Sequence, residues 1–132
     1  GMGYLSFEIA RQQPAAKTYL LDIDSLRLEF TEFRFKKNNF DTEVIKVTKE
    51  NLYPHLPKHN ICIATEVMEH IFQPLTVYEN IRTAMEPGGI LYGNFSDHDA
   101  GLFHVSPSLQ DLREQVARDF NKIDFMTYMK TT

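Results

Sequence analysis

The residues of this chain best suited to chemistry fall in two short runs. In Ile61-Cys62-Ile63-Ala64-Thr65-Glu66-Val67-Met68-Glu69-His70, two carboxylates and an imidazole follow an apolar tetrapeptide. A carboxyl group beside an imidazole can exchange protons with a substrate, which makes Glu69 and His70 candidates for an acid and a base. The same groups offer mixed oxygen and nitrogen ligands. Glu66, Glu69 and His70, completed by His98 or His104, form a candidate set for a divalent ion. The second run is Thr18-Tyr19-Leu20-Leu21-Asp22-Ile23-Asp24-Ser25, where strand-forming residues lead into two acids and a helix-capping serine. A carboxylate just past a strand that follows a glycine-rich turn can accept both hydroxyls of a ribose. Asp22 lies nearest the strand and Asp24 one pleat further on. The competing reading makes both of them loop acids that offset the dipole of the helix behind them.

Residues 61–64 have the length and residue types of a buried strand, and Thr65 and Glu66 would emerge at its edge. Pro74 suits the first turn of a following helix, where its missing N–H has no intrahelical partner. Val77, Ile81, Ala84 and Met85 line one face of that helix. Pro87-Gly88-Gly89 is expected to end it, and 90–95 reads as the next strand. This strand–helix–strand unit calls for an α/β fold with a parallel sheet.

Upstream, Gly1-Met2-Gly3 before Tyr4 reads as the end of a glycine-rich loop opening a helix, with Leu5, Ile9 and Ala10 inward. The alternative is the remnant of a cleaved expression tag, with Met2 as the native start. The helix should stop before Pro14. Residues 26–37 read as a helix with Leu26, Phe30 and Phe33 as its core stripe, and 44–48 as a short strand. His55 and His59 are expected in solvent, in a loop with Pro54 and Pro57. Beyond the central unit, 96–101 is a polar loop and 103–105 a brief extended piece. Ser108-Leu109-Gln110-Asp111 has capping-box form. Leu109, Leu112, Val116 and Phe120 form a buried helical face, and the alternation over 123–129 suits a last, edge strand. The expected order is α-β-α-β-β-α-β-α-β in one domain over 1–132, without internal repeat.

A net charge of −4 argues against a large nucleic-acid footprint. The one basic cluster, Arg34, Lys36 and Lys37, reads as a helix end whose cations offset the dipole, with a polyanion patch as the alternative. No apolar run approaches the ~20 residues that cross a bilayer, and no secretory signal pattern opens the sequence. The single cysteine, Cys62, has no internal disulfide partner, so a reducing, cytoplasmic setting is expected.

Four segments, in order, resemble the class I S-adenosylmethionine-dependent methyltransferases of small-molecule type. Gly1-Met2-Gly3-Tyr4-Leu5 is similar to the tail of that family's glycine-rich first motif. Leu20-Leu21-Asp22-Ile23-Asp24 is similar to the strand whose acid holds the ribose. The run Ala64-Thr65-Glu66-Val67-Met68-Glu69-His70-Ile71 resembles the fourth-strand motif, and Met85-Glu86-Pro87-Gly88-Gly89-Ile90-Leu91 the turn before the fifth strand. The resemblance spans essentially the whole chain.

What the resemblance implies is a Rossmann-like, mostly parallel sheet with helices on both faces. S-adenosyl-L-methionine would be the cofactor and a small molecule the methyl acceptor. Its cofactor contacts would be Gly1, Gly3, Asp22 and Ile23, with Thr48 and Lys49 at the adenine edge and Thr65 and Glu66 under the methionine end. Thr48 stands where many relatives carry an aspartate. In the family the pair equivalent to Glu69 and His70 opens a helix, where the acid complements the dipole. A complete first strand precedes the family's glycine loop, and two strands form its terminal hairpin. This chain is expected to lack that first strand and one strand of the hairpin, with the domain cut short inside the first motif and its activity reduced or lost.

An unfilled central slot exposes backbone donors and acceptors, which folded proteins avoid. Two remedies are expected: direct pairing of the strands that flank the slot, or a strand from another chain, as in a homodimer covering the open edge. A non-catalytic, dimerising member of the family is therefore the second reading of function. A nicotinamide-dependent Rossmann enzyme, which also uses a glycine loop and a ribose acid, is the third. The Glu-Val-Met-Glu-His and Glu-Pro-Gly-Gly segments count against it.

Overall fold

The computed structural model describes residues 3–97, 105 and 108–131, which divide into the units Gly1–Pro54 and His55–Thr132. In the first unit, helix α1 (Tyr4–Gln12) begins at Gly3, whose φ of 59° is the left-handed conformation that favours glycine. A side chain at Gly3 would also place its Cβ 2.7 Å from Thr31 Cγ2. Strand β1 (Thr18–Ile23) pairs in parallel with β2 (Thr42–Val47), in register from Thr18 against Thr42 to Ile23 against Val47. Helix α2 (Leu26–Lys37) connects them and is capped by Ser25, whose hydroxyl accepts the Leu28 N–H. The crossover makes this a βαβ unit.

The core of this unit is Ala10, Leu20, Leu28 and Phe35, with Phe7, Phe40 and Val44 packed against it. The rings of Phe7, Phe35 and Phe40 meet edge-on in all three pairings, with centroids 5.4, 5.4 and 5.9 Å apart. Each such pair adds about 0.5–1.5 kcal/mol beyond its area burial. The face of α2 is therefore not the one expected. Leu28, Thr31 and Phe35 are buried, while Leu26, Phe30 and Phe33 are exposed. On α1, Phe7 and Ala10 turn inward and Leu5 does not.

In the second unit, β3 (His59–Ala64) pairs in parallel with β4 (Met85–Gly93), joined by a 3-10 turn (Met68–His70) and helix α3 (Pro74–Ala84). Pro74 takes the first turn of α3 as expected. The helix ends at Ala84, and Pro87-Gly88-Gly89 lies inside β4 instead of ending the helix. Register explains this placement: Met85 faces His59 and Ile90 faces Ile61, so β4 carries extra residues through a bulge there. Gly88, at φ 75°, makes the turn in that bulge. The α3 carbonyl end is closed by two ammonium groups. Lys130 Nζ donates to Arg82 O (2.8 Å) and Met85 O (2.5 Å), and Lys58 Nζ to Thr83 O (3.4 Å).

Helix α4 (Gln110–Asp119) runs directly into β5 (Phe120–Lys122), which turns back as β6 (Thr127–Lys130). The four-stranded order is β3-β4-β6-β5, with β6 antiparallel to both neighbours. The single strand expected over 123–129 is thus a correction: two strands follow the last helix and the terminal hairpin is present. Residues 123–126 form its turn, because Asp124 Oδ1 accepts the N–H groups of Met126 and Thr127. Leu109, Leu112, Val116 and Phe120 are all buried, as their spacing predicts, alongside Met68, Tyr78, Ile81, Met85 and Leu91. Val77 packs on the rim of this core.

His55 is exposed as expected, but His59 is half-buried, with its Nδ1 2.9 Å from Pro57 O. Among the described residues β1 is paired with β2 within the first unit, and β3 with β4 within the second. No helix of the described residues is long and apolar enough to cross a membrane. The fold is α/β and Rossmann-like, with parallel strand–helix–strand units and an antiparallel hairpin at one end.

Candidate functional site

In each parallel pair the candidate residues stand at the carboxyl ends of the strands, where open α/β sheets bind ligands. In the first unit these are Asp22, Ile23 and Asp24 at the end of β1, with Thr48 and Lys49 just beyond β2. Asp22 is half-buried, and its Oδ1 accepts the N–H of Ile23 at 2.8 Å. That bond turns the carboxylate back over the strand end. Asp24, one residue past β1, is engaged differently: its Oδ1 lies 2.9 Å from Nζ of Lys46, the β2 residue that stands opposite Asp22. The Lys46 ammonium is held above its ordinary range chiefly by that contact. Thr48 and Asn51 exchange backbone hydrogen bonds of 3.2 and 3.1 Å, which close the turn carrying Lys49.

Gly3 lies at the start of α1, where its carbonyl accepts the Phe7 N–H at 2.8 Å. Gly1, also assigned to the cofactor by resemblance, lies outside the described residues. The cations near the end of α2 are partly occupied. Arg34 stacks over Phe7 and Phe30, Lys37 over Phe33, and Lys36 pairs with Glu32. This arrangement matches the helix-end reading of that cluster.

In the second unit Thr65 and Glu66 follow β3, and Glu66 has a φ of 52°. A left-handed glutamate costs about 1–2 kcal/mol, so neighbouring contacts must hold it. Asn94, one residue past β4, does so. Its Oδ1 accepts the Glu66 N–H at 2.8 Å and its Nδ2 donates to Glu66 Oε1. Spacing did not single out Asn94. The available signal was a lone amide directly after an apolar strand, in Gly93-Asn94-Phe95.

Glu69 does not open a long helix. It sits in the 3-10 turn, buried, and its carbonyl accepts the Val105 N–H at 3.0 Å. The His70 ring is partly exposed, with Nε2 3.9 Å from Glu69 Oε1. His98 and His104 lie outside the described residues. Among those described, no group of three or more histidine, cysteine or acidic side chains is placed to hold a metal ion. Past β4, Asp97 is fixed by α4: its Oδ1 accepts the Leu109 N–H (2.6 Å) and its Oδ2 lies 2.8 Å from Arg113. The N-cap of α4 falls at Leu109, one residue past Ser108, whose hydroxyl accepts the Gln110 N–H at 3.1 Å, so Asp97 shares the capping expected of Ser108.

A family model described as a methyltransferase domain matches residues 1–131. No curated protein matches the chain by sequence. Solved structures share the fold at low identity. TehB from Haemophilus influenzae superposes with a TM-score of 0.74 at 12% identity, over 100% of this chain and 55% of its own. The [4+2]-cyclase SpnF gives 0.67 at 15%, over 94% of this chain and 49% of its own. The O-methyltransferase NcsB1 of neocarzinostatin biosynthesis, solved with S-adenosylmethionine and 2-hydroxy-5-methyl naphthoic acid, gives 0.66 at 14%, over 98% and 45%. The chain spans about half the length of these structures.

Proposed function

The chain belongs to the methyltransferase-domain family, and from that premise we propose that it transfers a methyl group from S-adenosylmethionine to a small-molecule acceptor. The observation that carries this reading is the family match over residues 1–131, joined to hydrogen-bonding side chains at the carboxyl ends of the parallel strands. The donor set suits the cofactor: carboxylates that accept from hydroxyl and ammonium groups stand where such a ligand is bound in this fold. When bound, the cofactor supplies an electrophilic methyl group on a sulfonium.

The residues of the chain bind and orient. In the first unit Asp22 accepts from the ribose hydroxyls, Ile23 packs beside them, and Thr48 and Lys49 border the adenine. Gly1 and Gly3 allow close approach of the backbone. In the second unit Thr65 and Glu66 receive the methionine end. Positioning of the two reactants supplies most of the rate enhancement in such a reaction. Glu69 and His70 are the groups available to take a proton from the acceptor.

Titration calorimetry with S-adenosylhomocysteine tests the reading. Saturable binding by the chain, weakened about tenfold or more in Asp22→Ala, is expected from the loss of a charged hydrogen-bond acceptor. Absence of binding by the folded chain overturns it.

A second reading has one observation in its favour: β1 and β3 each carry an edge without a strand partner among the described residues. Exposed strand edges recruit other strands. On this reading the chain is a non-catalytic member that associates as a homodimer. Light scattering on a size-exclusion column separates the two, since a stable dimer that binds no S-adenosylhomocysteine favours the second.

A further inference from the structure

We infer that Asn94 is a positioning residue, a lock that sets the backbone and the carboxylate of Glu66 together for ligand binding. The role in binding rests on the proposed cofactor reading; the lock itself does not. Two facts carry the inference. Among the described non-glycine residues only Asn39 and Glu66 have positive φ. Asn39 follows a helix end, where asparagine adopts this conformation readily, but a glutamate has no such preference. Something outside the local sequence must hold Glu66 there.

The Asn94 amide, 28 residues away, supplies contacts that do so. Its oxygen accepts the Glu66 N–H and its nitrogen donates to the Glu66 carboxylate, so one planar amide fixes both the peptide and the side chain of one residue. A plane held at two points leaves the carboxylate little freedom to rotate. Glu66 is exposed nonetheless. An exposed carboxylate normally samples many rotamers, and ordering it at the moment of binding costs affinity. Here that ordering precedes binding. Both residues stand at the carboxyl ends of adjacent parallel strands, β3 and β4, so the lock is anchored in the sheet. The chemistry a fixed carboxylate recognises is a cationic or hydroxyl donor, which the amino group of the proposed methionine end provides.

Three variants of the full chain separate the lock from the charge. Asn94→Ala removes both bonds, and Asn94→Asp keeps an acceptor for the Glu66 N–H but sets two carboxylates against each other. Glu66→Gln keeps an acceptor for Asn94 Nδ2 but loses the charge. Amide hydrogen exchange at residue 66, followed by NMR, is expected to speed up about tenfold or more in Asn94→Ala, the equivalent of one lost hydrogen bond. It should stay within a few-fold of the parent in Asn94→Asp and in Glu66→Gln. The dissociation constant for S-adenosylhomocysteine is expected to rise about tenfold in all three. Global melting, followed in parallel, separates local release from unfolding.

Unchanged exchange at Glu66 in Asn94→Ala overturns the lock. Released exchange with unchanged S-adenosylhomocysteine affinity overturns its role in binding. If the parent chain binds no S-adenosylhomocysteine, the functional reading fails alone, and the exchange data still decide the lock.

Discussion

The Tyr78 hydroxyl donates to Asp119 Oδ2 at 2.8 Å, tying the middle of α3 to the last residue of α4. The tyrosine ring is fully buried, so this hydroxyl is the polar handle of a core side chain. Asp119 also receives Gln115 Nε2 at 3.1 Å and lies 3.6 Å from Arg82 Nε. The carboxylate therefore keeps partners when the tyrosine oxygen is removed.

Tyr78→Phe is accordingly expected to cost about 1.5 kcal/mol, the range of one hydrogen bond to a charged group, and not the larger cost of stranding a buried charge. Urea unfolding followed by circular dichroism checks this. The transition should keep its slope and shift its midpoint. A loss above about 4 kcal/mol would mean that Asp119 depends on the tyrosine alone.

Phe33 and Phe35 test which face of α2 is buried. Phe35 has no exposed surface, whereas Phe33 is 58% exposed under Lys37. Phe35→Ala should cost about 3–5 kcal/mol, the range for emptying a buried aromatic site. Phe33→Ala should stay within about 1 kcal/mol, since it gives up partial burial and one exposed cation–π contact. The reverse ranking in denaturant titrations would restore the Leu26-Phe30-Phe33 stripe as the core face.

The same pair shows where the sequence was legible and where it was not. The element order as far as α4 could be read from apolar runs and their breakers, and the α4 face from regular spacing, because those signals are local. On α2 two sets of residues compete at helical spacing, and the choice between them was made by Phe7 and Phe40, which lie outside the helix. The terminal hairpin was hidden for a different reason. Helix α4 passes into β5 with no glycine or proline between them, so nothing local announces a strand at Phe120. Among the site candidates, the placement of Asp22, Thr48 and Glu66 at strand ends followed from strand boundaries. The partners of the acids at these strand ends, Lys46 for Asp24 and Asn94 for Glu66, depend on strand pairing that single-sequence periodicity does not specify.

Cys62 gives a prediction at high pH. The residue is only partly shielded as a whole, yet its thiol sits deep against the core, and burial pushes it from an ordinary 9.0 up to about 12. The fold therefore favours the protonated thiol. That contribution is complete below about pH 9, where the unfolded thiol is also protonated, and is lost as pH rises towards about 12. Within this window stability should fall by up to about 1.4 kcal/mol per pH unit from this group. Burial and the Asp119 carboxylate also raise Tyr78, so the tyrosine acts in the same direction above its ordinary 10.0. Cys62→Ala should flatten the decline between about pH 9 and 10 and leave the tyrosine part. At neutral pH the native thiol should resist a disulfide reagent that modifies the urea-unfolded chain at once.

Three glycines of β4 separate backbone conformation from space. Gly88 has a φ of 75°, and a Cβ there would meet nothing within 4 Å. Gly88→Ala should therefore cost only the left-handed penalty, about 1–2 kcal/mol. At Gly89 a Cβ would lie 2.5 Å from Met85 Cγ, 2.9 Å from Glu86 O and 3.1 Å from Asn60 O. The methionine can move, but the two carbonyls belong to the bulge and to the paired strand. At Gly93 the obstruction is also backbone, with Ala64 O at 2.8 Å. Relief at either site requires β3 and β4 to separate where their register is set, near Asn60 or at the Ala64–Gly93 pair. Gly89→Ala and Gly93→Ala are expected to cost more than Gly88→Ala, by about 1–3 kcal/mol, because a packed neighbour resists displacement. Melting curves of the three variants decide it. Equal losses at all three positions would place the cost in chain entropy and not in the close approach of the two strands.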